Sequence, residues 1–113
     1  VKPFFWHPLA RLDADQAAAW YARQGGLALE IAFTAALQDA VQRLAQHPGI
    51  GSLRCGESLG IPSLRQWPVR TFPRLIFYLE RDNQLDIWRV LHASTDIPAW
   101  LGEPDDDPAS PSE

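Results

Sequence analysis

The sequence predicts an α+β domain of order β-α-α-β-β-β, in which a helical hairpin packs on a small antiparallel sheet. Three observations carry this. The first half holds two helix-periodic segments split by Gly25-Gly26. The second half turns to short β-rich runs, Ser63–Val69, Arg74–Arg81 and Leu85–Ala93. A chain of 113 residues, 46% hydrophobic with five tryptophans, suffices for one domain with a real core.

Taken in order, "KPFFW" is a short aromatic strand that ends at His7-Pro8, and proline suits the first turn of a helix. The helix that follows has Ala10, Ala14, Ala17, Ala18 and Tyr21 at three- and four-residue steps. Gly25-Gly26 stops it. A second helix, 27–46, carries an apolar stripe of Leu29, Phe33, Ala36, Leu37, Ala40, Val41 and Leu44, with Phe33 and Leu37 toward the sheet. His47-Pro48-Gly49 ends that helix, and 50–60 reads as a polar, glycine-rich loop. Asp82-Asn83-Gln84 is short enough to join the last two strands as an antiparallel hairpin. Pro68 and Pro73 limit the earlier pairing. A last helical turn is predicted near 97–101. Residues 1–102 thus form the domain, and 103–113, with five acids and no base, form an acidic disordered tail.

Charge is unevenly placed. The net −4 comes from that tail, whereas six arginines against four acids lie between Arg54 and Arg89. Such a region suits contact with a nucleic acid or an acidic protein segment but is too weakly basic for tight nonspecific DNA binding. The single Cys55 forms no internal disulfide and reads as a bystander thiol. His7, His47 and His92 lie too far apart to suggest a metal site, no phosphate loop or paired cysteines occur, and no cofactor is expected. No apolar run reaches the ~20 residues of a membrane span, so a cytoplasmic protein without membrane contact is expected.

Candidate site residues lie on the strands. Alternation places Leu85, Ile87, Arg89, Leu91 and Ala93 on one face and Asp86, Trp88, Val90 and His92 on the other. Arg89 among apolar neighbours requires a carboxylate or carbonyl partner. His92 reads as a strand-end histidine bonded to nearby backbone. Tyr78 shares a face with Arg74 and Ile76; with Arg65 and Arg70 it is a candidate contact surface, and the alternative reading is a half-buried aromatic.

Four segments in order, "WHPLARLDADQAAAWYARQ", "LQDAVQRLAQHPGIG", "LRQWPVRTFPRLIFYL" and "LDIWRVLHASTDI", resemble the RelE/ParE superfamily of type II toxins. The ending RVLHASTD and the helix end LAQHPGIG carry most of this, and the first and last segments look more like the ParE side. The resemblance implies a toxin that inhibits DNA gyrase. It also implies a cognate ParD-like antitoxin, ribbon-helix-helix with a disordered C-terminal segment, through which alone operator DNA is contacted. The other branch implies a ribosome-dependent mRNA endonuclease. Its relatives place a basic residue after the last strand, where this chain has Ser94, Thr95 and Asp96. On this reading no residue is catalytic. Arg65, Arg70, Arg74, Tyr78, Arg89 and His92 are the candidates for contact with target or antitoxin, and Arg89 and His92 also shape the strand end.

Overall fold

The computed structural model describes residues 2–94. The elements are β1 (Phe4–Trp6), α1 (Pro8–Gln46), a 3₁₀ turn (Pro48–Ile50), α2 (Arg54–Ser58), β2 (Leu64–Pro68), β3 (Arg74–Glu80) and β4 (Leu85–His92). The predicted turn at 97–101 and the tail 103–113 lie outside the described residues.

α1 is two helical arms broken at Gly26, whose φ of 77° and ψ of −168° no L side chain adopts comfortably. The arms run antiparallel. Tyr21 on the first stacks against Phe33 on the second at 4.9 Å between ring centroids, and Phe72 closes over both at 5.0 and 5.3 Å. The predicted stripe is the buried one: Phe33, Leu37, Ala40, Val41 and Leu44 are all core, with Leu29 and Ala36 packed beside them. On the first arm Ala10, Ala17 and Tyr21 are buried as expected, and Asp13 is buried on the same stripe.

The sheet order is β1-β4-β3-β2. β2, β3 and β4 pair antiparallel as predicted, but β1 joins β4 in parallel, with Phe4 opposite Leu85 and Trp6 opposite Ile87. The sheet is therefore mixed rather than wholly antiparallel. A strand separated from its partner by a long helical crossover is free to return parallel, which a tight turn forbids.

The strict alternation along β4 also fails. Phe77 pairs with Arg89 and Tyr78 with Ile87, so Trp88 is an extra, unmatched residue. Beyond this bulge Val90 joins Leu85 and Ile87 under the helices, while Leu91 falls in the opposite cluster with Leu64, Phe77 and Leu79. That second face is covered by Cys55, Leu59 and Ile61. The stretch 50–60, expected as a loop, begins at the last residue of the 3₁₀ turn and holds α2. Its N-terminal side is organised by the Ser52 Oγ, which accepts the Arg54 N–H at 3.1 Å.

Candidate functional site

The arginine of "IWRVLHASTDI" is buried, with 1% of its surface exposed. Arg89 donates from Nε and Nη2 to the two oxygens of Asp13, at 2.7 and 2.9 Å. Asp13 Oδ2 also accepts the Val90 backbone N–H at 3.0 Å. One carboxylate thus neutralises the cation and satisfies a backbone donor of β4 just past the bulge. This forked geometry is the strong form of the contact, and it ties the first arm of α1 to the sheet. The predicted carboxylate partner of Arg89 is therefore Asp13, 76 residues away in sequence. Its signal was present in the spacing Ala10–Asp13–Ala17, which sets an acid on a helix's buried stripe.

Tyr78 is fully buried, not part of an open surface. Its hydroxyl donates to the Pro48 carbonyl at 2.7 Å and accepts the Gly51 N–H at 3.0 Å. Burial pushes the phenol above its ordinary value of 10.0; the Gly51 bond and the Arg65 charge pull it partly back, and Glu80 raises it. Arg65, directly across the ladder from Tyr78, donates to the Gly49 and Gly51 carbonyls at 3.1 and 2.8 Å. Together they fasten the helix-ending turn to β2 and β3. Gly51 is obligatory there, because a Cβ would fall 2.5 Å from the tyrosine oxygen and 2.9 Å from the Gln66 carbonyl.

Arg74 is 1% exposed and lies over the Tyr21 ring at 5.4 Å, with Nε 3.4 Å from the Tyr21 hydroxyl. It pairs across the ladder with His92. His92 Nδ1 accepts the Ser94 N–H at 3.1 Å and lies 2.7 Å from the Ser94 Oγ. With Nδ1 accepting that N–H, a neutral ring carries its proton on Nε2. Arg70 is exposed in the turn between β2 and β3.

Of the six predicted contact residues, Arg74, Tyr78 and Arg89 are thus inside the fold, and Arg65, Arg70 and His92 keep exposed surface. Sequence alternation brought Arg74 and Tyr78 to one face correctly but did not reveal that the helical hairpin covers it.

The Cys55 thiol is pushed up by burial, as suits a bystander. Among the described residues no three side chains cluster as metal ligands, and no helix is long and apolar enough to cross a membrane. A groove of about 980 Å³ lies between the second arm of α1 and the end of β2. Alanines such as Ala32 and Ala36 line it opposite Trp67, with Arg43, Arg70 and Asp39 at its edges.

This arrangement agrees with what the chain is similar to. The family model described as "ParE toxin of type II toxin-antitoxin system, parDE" matches residues 4–97. The chain belongs to the ParE toxin family. A solved structure, "Chromosomal ParDE TA system from P. aeruginosa", superposes with a TM-score of 0.70 at 18% identity. It covers 82% of this chain and 97% of that one, a likeness of fold. No curated protein sequence matches significantly. In this ParE-family chain the resemblance-bearing residues have structural roles: Leu44, Pro48 and Gly51 make the helix end and its fastening, and Arg89 makes the buried fork.

Proposed function

We propose that this ParE-family toxin acts in the cytoplasm by inhibiting DNA gyrase, and that a cognate ParD-like antitoxin neutralises it. The antitoxin's ribbon-helix-helix part would contact operator DNA, and its disordered C-terminal segment would fold on the toxin. The observation that carries the choice of target is the fate of the residues a nuclease would need. Cleavage of RNA by its own 2′-OH requires a base, an acid and cations facing the phosphate. Tyr78 and Arg74 are buried, Tyr78 holds a turn with its only hydroxyl, and Arg65 is committed to two carbonyls beside it. A phenol raised above 10 is also a poor base near neutrality. Of the candidates, Arg70 and His92 keep exposed surface without a base and an acid set together on it, which suits a toxin that acts by occupying its target.

The test is to add the purified chain separately to a gyrase supercoiling reaction and to translating ribosomes. Loss of supercoiling with intact mRNA is the expected result. Ribosome-dependent cleavage with normal supercoiling would reverse the assignment.

A further inference from the structure

The second arm of α1 has another face, turned away from the core. Leu27, Ile31, Thr34 and Gln38 follow one another at steps of four, three and four residues, the spacing of a seam that packs against another helix. All four are exposed. Leu27 and Ile31 are the most exposed large apolar side chains among the described residues, at 68% and 57%. Single exposed leucines are ordinary, but these two form one ridge, and a pocket opens further along the same arm. The pocket, of about 450 Å³, lies between the two arms and β1 and is lined by Phe4, Trp6, Ala14, Leu37 and Val41. Thr34 and Gln38 border both the ridge and the pocket, so the two are neighbours on a single face. Charge follows the same division. Glu30 stands beside the ridge, and Arg11, over the Trp6 ring at 5.9 Å, stands at the pocket.

We propose that this face joins two copies of the chain, the ridge of each seated on the pocket of the other. Two-fold pairing brings one surface against itself, so that residue i meets j and j meets i. An axis between Thr34 and Gln38, perpendicular to the arm, sets both ridges on both pockets at once. It also brings Glu30 of each copy toward Arg11 of the other, because the arms run antiparallel and Arg11 shares the pocket with Gln42. Asp15, one turn on from Arg11, then falls opposite Thr34 rather than an acid. Side chains at a two-fold axis meet their own copies, where like charges would repel, and Thr34 and Gln38 are both neutral. A ridge, a pocket and two opposite charges, all reciprocal on one face, make a second copy the fitting occupant. The inference stands apart from the choice of target.

The experiment follows the full chain by sedimentation velocity over a wide concentration range, with circular dichroism to confirm folding. The parent should pass from one copy to two as concentration rises. Ile31→Glu, at an exposed position that leaves the core untouched, should stay a folded single copy throughout. Glu30→Arg and Arg11→Glu should each self-associate more weakly than the parent, since each sets like charges together at both ends of the interface. An equal mixture of these two variants should regain the parent's association, because the two arginines of one copy then meet the two glutamates of the other. A parent that remains a single copy at every concentration would overturn the proposal and leave the face to a different protein. So would association that Ile31→Glu leaves unchanged, or a mixture that associates no better than either variant alone.

Discussion

β4 carries two ion pairs three residues apart, and they are opposites. Arg89–Asp13 is closed, with side chains 1% and 0% exposed. Arg81–Asp86 joins a largely buried acid to an arginine whose side chain is 55% exposed, with Gln84 bonding the second carboxylate oxygen at 2.7 Å. The first links elements 76 residues apart, and the second closes a hairpin over five. The lesson concerns consequence rather than strength. A sealed pair is costly to break because water cannot replace the lost partner, whereas an open pair loses only a screened attraction.

The largest effect should therefore follow Arg89→Ala, which strands Asp13 and is expected to destabilise by about 3–5 kcal/mol in urea unfolding. Arg81→Ala should cost below about 1 kcal/mol. Equal losses would break the contrast. Toxicity of Arg89→Ala should fall together with the amount of folded protein; a stable, antitoxin-binding but inactive variant would instead make the residue part of the mechanism.

An apolar yardstick sharpens the scale. Leu37→Ala, in the stripe of the second arm and 6% exposed, should cost ~2–5 kcal/mol. Thermal stability equal to the parent's would show that this side chain does not support the core. Tyr78→Phe tests a sealed neutral contact. It removes the hydroxyl that serves Pro48 and Gly51, and about 1–3 kcal/mol should be lost. Near-neutrality would mean that water satisfies the turn.

The open pair should show itself in acid. Burial pulls the Asp86 carboxyl upward, but the Arg81 and Gln84 hydrogen bonds and the Arg81 and His7 charges outweigh it and hold the group below 3.8. A carboxyl depressed by folding contributes stability above its unfolded value, and that contribution disappears as pH falls through the folded value. Stability measured from pH 6 to below 3.8 should thus fall less steeply in Asp86→Asn than in the parent, and parallel curves would assign the acid loss elsewhere. The smallest effect is expected from His92→Gln. Glutamine keeps an acceptor for the Ser94 N–H but exchanges no proton near neutrality, so on the proposed function most of the inhibition of gyrase should survive. A folded variant that has lost a parental RNA cleavage would overturn the choice of target.

Much of the fold was legible residue by residue. Gly25-Gly26 announced the break in α1, the second arm's stripe named its buried side chains, and Asp82-Asn83-Gln84 marked the β3–β4 hairpin. These signals are local, set by backbone freedom and by a period that any short window displays. Even the need for a partner at Arg89 followed from its apolar neighbours. The identity of that partner did not, because Asp13 comes within reach only when the first arm lies across β4. The same holds for the surface: whether Arg74 and Tyr78 face water depends on where the hairpin and the Pro48–Gly51 turn settle. The bulge at Trp88 is decided in the same way, since register belongs to two strands at once and one extra residue reassigns every side chain beyond it. The sequence determined the two helical arms, the main strands, the apolar stripe of the second arm and the requirement for a counter-charge at Arg89. Tertiary structure alone decided which residues meet, since contacts across tens of residues depend on the packing of whole elements rather than on the preferences of any one.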